Sequence, residues 1–166
     1  TETHLGVIKD ISKIYSPKII LCEKPLSYNL RDAEEIIEIC KKMHTRLFVN
    51  YMRRCDEGTI EIMKRINDQR IETPIKGFAW YTKGIYNNAS HFINLLEMWL
   101  GNVEDLKLLR TYNQNDYDIN ADFIIRFEKG LINFQSAWEN KFTHNCFELL
   151  TPNGRLTYGK GGGEIY

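Results

Sequence analysis

Two short stretches of this chain carry side chains that could take part in proton transfer. The first is Glu23-Lys24-Pro25, which follows an apolar run and precedes a predicted helix. A proline disfavours helical geometry in the residue before it, so Lys24 is predicted to be extended where a buried strand ends. Open α/β sheets bind ligands beyond the carboxyl ends of their strands, and a lysine there could donate hydrogen bonds to a substrate hydroxyl or carbonyl oxygen. The alternative is a strand-end lysine beside a turn-forming proline, without a chemical role.

The second stretch surrounds His91, which is predicted to lie in the first turns of a helix that Gly101 ends. Asn87 lies four residues before His91, so both side chains are predicted on one face of the helix, and Asn94 extends the same polar stripe. Histidine is the side chain best suited to proton transfer near neutral pH, and the amide of Asn87 could orient the imidazole or bind a substrate hydroxyl. The alternative is an ordinary histidine at a helix start that Asn87 or Asn88 caps.

The N-terminal part of the chain predicts alternating helices and strands. Apolar residues at helical spacing predict helices over residues 3–15 and Arg31–Met43, with Asn29 as the N-terminal cap of the second helix. Short apolar runs at Lys18–Cys22 and Arg46–Asn50 predict buried strands. The order helix, strand, helix, strand is typical of parallel βα units, so this region is predicted to be part of an α/β domain.

The pattern changes beyond Cys55, where hairpin signals dominate. Helices are predicted near Glu57–Asn67 and Ala89–Leu100, with a strand at Ile75–Thr82 between them. Further strands are predicted at Val103–Arg110, Asn120–Phe127, Leu131–Trp138, Cys146–Leu150 and Arg155–Tyr158, with hairpin turns at Lys129-Gly130 and Pro152-Asn153-Gly154. The predicted fold class is therefore α/β followed by α+β, with an open, mostly antiparallel sheet flanked by helices. The predicted domains are residues 1–52 and residues 53–166.

The strand at Asn120–Phe127 has two different faces. One face carries apolar residues that are predicted to pack on the helices: Ala121, Phe123, Ile125 and Phe127. The other face is mixed, with Asp122, Arg126 and Glu128 beside Ile124. A broad mixed face is either solvated or a subunit interface. The interface is favoured, and it predicts a homodimer or a higher oligomer.

Charge and composition argue against several classes of function. The 166 residues include 22 basic and 22 acidic side chains without a basic face, so nucleic-acid binding is not expected. The most apolar helical stretch, Phe92–Leu100, is short and contains Glu97, so no membrane span is expected. Four cysteines without a C-x-x-C pair predict a reduced, cytoplasmic protein, and four dispersed histidines predict no metal site.

Taken together and in order, these motifs resemble the glucose–fructose oxidoreductase, inositol dehydrogenase and rhizopine-catabolism family (Gfo/Idh/MocA). Glu23-Lys24-Pro25 resembles the E-K-P signature of that family, and Val49–Arg54 resembles its strand-to-linker segment. The stretch from Gly84 through His91 to Asn94, followed by Trp99-Leu100-Gly101, is similar to the family's glycine, aspartate, histidine and aspartate pattern. Thr1–His4 matches the loop after an earlier Rossmann strand. The resemblance covers essentially the whole chain.

The resemblance implies an oxidoreductase that uses NAD or NADP and acts on a sugar, a polyol or a nucleotide-linked sugar. By that resemblance, residues 1–52 are part of a Rossmann domain and residues 53–166 form a substrate and oligomerisation domain. Lys24 and His91, with Asn87, would be catalytic, with Lys24 on the reacting oxygen and His91 as the proton carrier. Cofactor contacts are expected from Glu23, Lys24, Pro25 and His4. Substrate contacts are expected from Arg54, Tyr86, Asn94 and Trp80, with Arg53, Tyr81 and Lys83 as further candidates.

The chain departs from the family pattern in two ways. Asn87 and Asn94 stand where most members carry aspartates, and the chain contains no G-x-G-x-x-G after a strand. The expectation is a piece of a longer polypeptide that lacks most of the dinucleotide-binding half and the end of the substrate domain, and that is inactive alone. The alternative is a non-catalytic member, or a fragment that serves as a binding or oligomerisation module.

Overall fold

A computed structural model describes residues 1–112, 118–138 and 142–166. The chain divides into two compact units, Thr1–Tyr51 and Met52–Tyr166. The assignment of residues 1–52 to a dinucleotide-binding remnant and of residues 53–166 to a substrate domain stays a prediction. In the described part of the chain, every helix is too short or too polar to cross a bilayer.

The first unit contains two parallel strands and two helices. In chain order the elements are α1 (His4–Ile14), β1 (Ile19–Glu23), α2 (Leu30–Lys42) and β2 (Arg46–Asn50). Asn29 caps α2 as predicted, since its Oδ1 accepts a hydrogen bond from the Arg31 N–H at 2.9 Å. Strands β1 and β2 run parallel, so their last residues, Glu23 and Asn50, lie opposite each other. This register brings the carboxyl ends of both strands to one edge.

The prediction that both of these strands are buried is wrong for one of their faces. Successive strand residues point to opposite faces, and Ile20 and Leu47 pack with Ile8 and Ile36 of the helices. The residues that alternate with them, on the other face, are exposed to solvent, and Leu21 is 67% exposed. The physical reason is that α1 and α2 cover only the face that carries Ile20 and Leu47.

The second unit contains a seven-stranded sheet covered by helices. Its elements are a 3-10 turn (Met52–Cys55), α3 (Glu57–Asn67), β3 (Ile75–Tyr81), a π-helical turn (Ile85–Ala89), α4 (Ser90–Leu100), β4 (Val103–Tyr112), β5 (Asn120–Phe127), β6 (Gly130–Ser136), β7 (Cys146–Thr151), β8 (Gly154–Gly159), a 3-10 turn (Lys160–Gly162) and β9 (Glu164–Ile165). The strand order is β4-β5-β6-β3-β7-β8-β9. Only β3 and β6 are paired in parallel among these strands, so the predicted mostly antiparallel sheet and the fold class are confirmed.

The core of the second unit lies between one sheet face and helices α3 and α4. Phe123 stacks on Phe134 with ring centroids 4.6 Å apart, and Phe147 stacks on Tyr158 at 4.5 Å. Trp99 of α4 is buried against the second pair, and its indole N–H donates to a carbonyl oxygen of α3. The four apolar residues of β5 named above are all buried, so the predicted alternation of that strand is confirmed. Burial of these large side chains anchors α4 to the sheet.

Among the residues that the structure describes, no helix of this unit covers the opposite sheet face, which is chemically mixed. The register places side chains of both charges beside aromatic and aliphatic ones: Lys76, Phe78, Trp80, Asp122, Ile124, Arg126, Leu131, Glu148, Leu150 and Arg155. We call this surface the open face.

Candidate functional site

The carboxyl end of β1 gathers the residues predicted to contact a cofactor. Lys24 follows the last strand residue and is half-buried, and the Lys24–Pro25 peptide bond is cis. His4, at the start of α1, lies with Nδ1 3.0 Å from the carbonyl oxygen of Leu26, to which it donates when protonated there. The structure therefore brings together Glu23, Lys24, Pro25 and His4 within the first unit.

Asn50 belongs to the same edge and was missed by sequence reasoning. Its Nδ2 donates to Glu23 Oε1 at 2.7 Å, which ties the ends of the two parallel strands together. The sequence does carry a signal for Asn50. It is the last residue of the second predicted strand, and parallel strands end at a common edge, so it is expected beside Glu23. The hydrogen bond orients the Glu23 carboxylate directly before Lys24.

The turn between β3 and α4 carries the second group of predicted residues. Gly84 has a φ of +84°, and the Asp118 carboxylate occupies the place that a side chain at position 84 would need. The π-helical turn then runs without a break into α4. The predicted cap by Asn87 or Asn88 is wrong, because α4 begins after Ala89 without a side-chain cap and Asn88 Nδ2 donates instead to the Thr82 carbonyl oxygen at 2.8 Å.

The backbone N–H groups at the start of this turn donate hydrogen bonds to the segment Asp118-Ile119-Asn120. Asn120 Oδ1 accepts from Gly84 N at 2.9 Å, and the Ile119 carbonyl accepts from Ile85 N at 3.0 Å. The two carboxylate oxygens of Asp118 accept from the next two residues, Tyr86 N and Asn87 N, each at 2.9 Å. Sequence reasoning missed Asp118 and Asn120, because more than thirty residues separate them from the turn and no local pattern links the two segments.

His91 lies on the second residue of α4 and is 9% exposed. Asn87 is exposed and Tyr86 is half-buried, both on the preceding turn. Asn94 lies one turn beyond His91, with its Oδ1 buried and accepting no hydrogen bond from any residue that the structure describes. The structure therefore brings four predicted residues together along one turn and helix: Tyr86, Asn87, His91 and Asn94.

Two other predicted substrate residues lie elsewhere in the second unit. Trp80 is on the open face, with its ring centroid 5.1 Å from that of Phe78, whereas α4 and His91 are on the opposite side of the sheet. The prediction for Trp80 is based on its position near the end of β3, but strand side chains alternate between faces, and this places Trp80 on the side away from His91. Arg54 is exposed, and its Nε lies 3.4 Å from the sulfur of Met98 on α4.

The further candidates Arg53 and Tyr81 have structural partners. Arg53 donates to the Gly161 carbonyl oxygen and to Tyr158 Oη, and its guanidinium lies 6.0 Å from the ring centre of Phe92. Burial raises the pKa of the Tyr158 phenol above its ordinary value, although the hydrogen bond from Arg53 acts in the opposite direction. Tyr81 is fully buried, and burial likewise raises its pKa.

No group of three or more metal-binding side chains lies together among the described residues. The polar groups at the carboxyl end of β1 and those around His91 are donors and acceptors for hydrogen bonds. Their chemistry suits the binding and deprotonation of hydroxyl groups.

Comparison with known proteins relates the chain to dehydrogenases of small polyols. It is 27% identical over 123 residues to inositol 2-dehydrogenase from Salmonella paratyphi B, a match that covers 67% of this chain and 35% of that protein. It is 34% identical over 74 residues to myo-inositol 2-dehydrogenase from Thermotoga maritima, covering 45% of this chain and 22% of that protein. The chain is therefore similar in sequence to inositol 2-dehydrogenases over part of its length.

The fold of the chain is also that of solved oxidoreductases. The WlbA dehydrogenase from Bordetella pertussis, solved in complex with NADH and UDP-GlcNAcA, matches with a TM-score of 0.75 and 18% identity over 99% of this chain and 55% of that chain. No family model matches the chain. The predicted resemblance to Gfo/Idh/MocA oxidoreductases is confirmed at the level of homology and fold. The chain spans about a third of the Salmonella relative, 35% of its length.

Proposed function

We propose that this chain is part of an NAD(P)-dependent oxidoreductase that interconverts a hydroxyl and a keto group on a sugar, a polyol or a nucleotide-linked sugar. The observation that carries the proposal is homology to inositol 2-dehydrogenases over 123 residues. The shared fold and the polar cluster around His91 support it. Nucleotide-linked sugars are included because the WlbA structure holds UDP-GlcNAcA.

His91 is the proton-transfer group in this proposal. Its imidazole takes the hydroxyl proton during oxidation and returns it during reduction, since imidazole gains and loses protons near neutral pH. Asn87 cannot exchange a proton, so its amide binds a substrate hydroxyl or orients the imidazole. Tyr86 and Asn94 flank His91 and supply further contacts to a polyhydroxylated substrate.

Lys24 binds the reacting oxygen. Its ammonium group offers three donors, which polarise a carbonyl or hold a hydroxyl during deprotonation. The cofactor contacts are assigned to Glu23, Lys24, Pro25 and His4, which the carboxyl end of β1 gathers. This donor set fits a polar cofactor, because Lys24 is half-buried at a strand end where ligands of open α/β sheets bind. When bound, the nicotinamide would supply the hydride acceptor or donor.

The second candidate function is a non-catalytic binding or oligomerisation module. Asn87 favours it, because a carboxylate at that position would raise the basicity of His91 and an amide does not. The open face favours it as well, since a broad face with both charges and exposed aliphatic side chains suits association with a second copy of the chain. A homodimer or larger assembly through the open face is therefore part of the proposal under either function.

A cytoplasmic location is also proposed. All four cysteines are free thiols in the described structure, which suits a reducing compartment.

The proposed function is tested by assaying the full polypeptide that carries this chain for reduction of NAD and NADP with inositol and a panel of sugars. Lys24→Ala and His91→Ala should each lower kcat/KM by a factor of about 10² or more, because each removes a group that acts on the reacting oxygen. Lys107→Ala, which changes an exposed lysine on β4, is the matched control and should leave turnover unchanged. Undiminished turnover in both site variants would refute the assignment, and absence of any hydride exchange would favour the non-catalytic module.

A further inference from the structure

The turn that leads to His91 is held from outside by a segment distant in sequence. Four successive N–H groups, from Gly84 to Asn87, are all accepted by residues 118–120. Two of these four bonds end on the carboxylate of Asp118. Asp118 therefore does at this turn what a local capping residue does at most helix starts, where the first N–H groups lack partners within the helix.

The carboxylate of Asp118 is well suited to this position. Hydrogen bonds from backbone N–H groups to a charged carboxylate are stronger than bonds between neutral groups. A negative charge at a helix N-terminus also interacts favourably with the aligned peptide dipoles. Gly84 allows the close approach, because any side chain at position 84 would occupy the place of the carboxylate.

Hydrogen bonds also connect this turn to α4, the helix that carries His91. The turn's own carbonyl oxygens accept hydrogen bonds from residues later in the chain: Asn88 N donates to Gly84 O at 3.1 Å, and Ser90 Oγ donates to Tyr86 O at 2.8 Å. The π-helical turn ends at Ala89 and α4 starts at Ser90, one residue before His91. A continuous set of hydrogen bonds therefore joins residues 118–120 to the first turn of α4.

We propose that Asp118 is a positioning residue for His91: its carboxylate fixes the turn at residues 84–87 and thereby the place of Asn87 and His91 beside the sheet. The inference rests on the proposed role of His91 in proton transfer. Asp118 lies outside the motif around His91, and its carboxylate holds the backbone N–H of Asn87.

The unaltered 166-residue chain provides a first test by amide hydrogen exchange. Tyr86 N–H and Asn87 N–H should exchange at least about tenfold more slowly than the N–H groups of Glu57 and Gly58, which begin α3 without a side-chain cap. Equal exchange rates at the two helix starts would overturn the inference. This comparison requires no substitution and so does not depend on a variant that folds.

Substitutions then separate positioning from simple stabilisation. Asp118→Asn keeps the shape of the side chain but turns an amide NH₂ toward one of the two N–H groups, and Asp118→Ala removes both acceptors. Both variants should speed exchange at Tyr86 and Asn87 about tenfold or more and shift the imidazole NMR signals of His91. Asp105→Asn, which removes an exposed carboxylate paired with Arg126 at 3.7 Å, is the matched control and should change neither. Faster exchange with unchanged His91 signals would reduce Asp118 to a stabilising residue and overturn the proposal.

Kinetics of the full polypeptide give the functional readout. Asp118→Asn should lower kcat about tenfold or more with a much smaller change in KM, because a displaced proton carrier slows the chemical step more than binding. An unchanged kcat would overturn the proposal. If the full polypeptide has no dehydrogenase activity, the proposed function fails, and the His91 signals of the chain still decide whether Asp118 positions that side chain.

Discussion

At the scale of single residues, Tyr81 illustrates a polar group used for structure. Its hydroxyl donates to the carbonyl oxygen of Ala121 at 2.6 Å and accepts from the N–H of the same residue at 2.9 Å. Tyr81 is fully buried, so no water can replace the hydroxyl in either bond. The sequence suggested Tyr81 as a substrate contact because it ends β3 near the candidate site, but its partners make it part of the core.

Tyr81→Phe should lower the free energy of unfolding by about 1–3 kcal/mol, because it leaves a buried N–H and a buried carbonyl without a partner. Urea denaturation of the chain measures the change. Tyr112→Phe is the matched control: its hydroxyl donates to Asp122 at 2.6 Å, but Tyr112 is half-buried, so water can take over and a loss below about 1 kcal/mol is expected. Equal losses in the two variants would show that burial does not govern the effect.

The free energy of unfolding of the wild type, relative to that of Tyr81→Phe, should depend on pH. Burial raises the pKa of Tyr81 in the folded chain, so above pH of about 10 the unfolded chain holds fewer protons than the folded one and stability falls as pH rises. Tyr81→Phe lacks this group. The stability difference between wild type and Tyr81→Phe should therefore shrink above pH of about 10.

At the scale of elements, the turn before α4 depends on a glycine whose position no other residue type fits. Gly84 combines a positive φ with the close approach of Asp118, and both features exclude a Cβ atom. Gly6, within α1, has no atom near the place of a Cβ. Gly6 lies within a predicted helix and Gly84 before one, but only the structure shows that Asp118 approaches Gly84.

Gly84→Ala should destabilise the chain by more than about 1 kcal/mol, since alanine is strained at this φ and displaces the Asp118 carboxylate. Gly6→Ala should stabilise it by about 0.5–1 kcal/mol, because alanine has the higher helix propensity and open space around it. Thermal unfolding of the two variants checks both signs. A neutral or stabilising Gly84→Ala would contradict the described geometry of the turn.

At the scale of the whole molecule, the open face is the surface proposed to associate with a second copy of the chain. Leu131 and Leu150 are both exposed on this face, on the two strands that flank β3. Lys76 lies between them in the register, so the open face carries aliphatic and charged side chains side by side, a mixture that suits a subunit contact.

We expect the chain to sediment as a dimer or larger species, and Leu131→Glu to shift it toward the monomer, because a carboxylate would be desolvated in the interface. Ile60→Glu introduces the same charge at an exposed position on α3 and should leave the sedimentation coefficient unchanged. Analytical ultracentrifugation at several concentrations distinguishes these results. A wild-type chain that is monomeric at all concentrations would refute the interface.

Local patterns in the sequence were sufficient for most of the elements. Helical spacing predicted α2 and alternation predicted β5 with its buried face, because these signals arise within a single segment. The motif around Lys24 and the histidine of α4 were also found from local order along the chain. The cap geometry at α4 could not be found in this way, since the residues that satisfy its turn, Asp118 to Asn120, lie just before and at the start of β5.

The sequence by itself determined the kinds of element, the family resemblance and the two residue types proposed for chemistry, Lys24 and His91. Only the tertiary structure decided which face each strand residue occupies, and so placed Trp80 on the open face, away from α4. It also decided that Asp118 and Asn120, rather than Asn87 or Asn88, hold the turn before His91. The physical reason is that hydrogen bonds and strand pairing join residues distant in the chain, and such pairings leave no periodic signal within either segment.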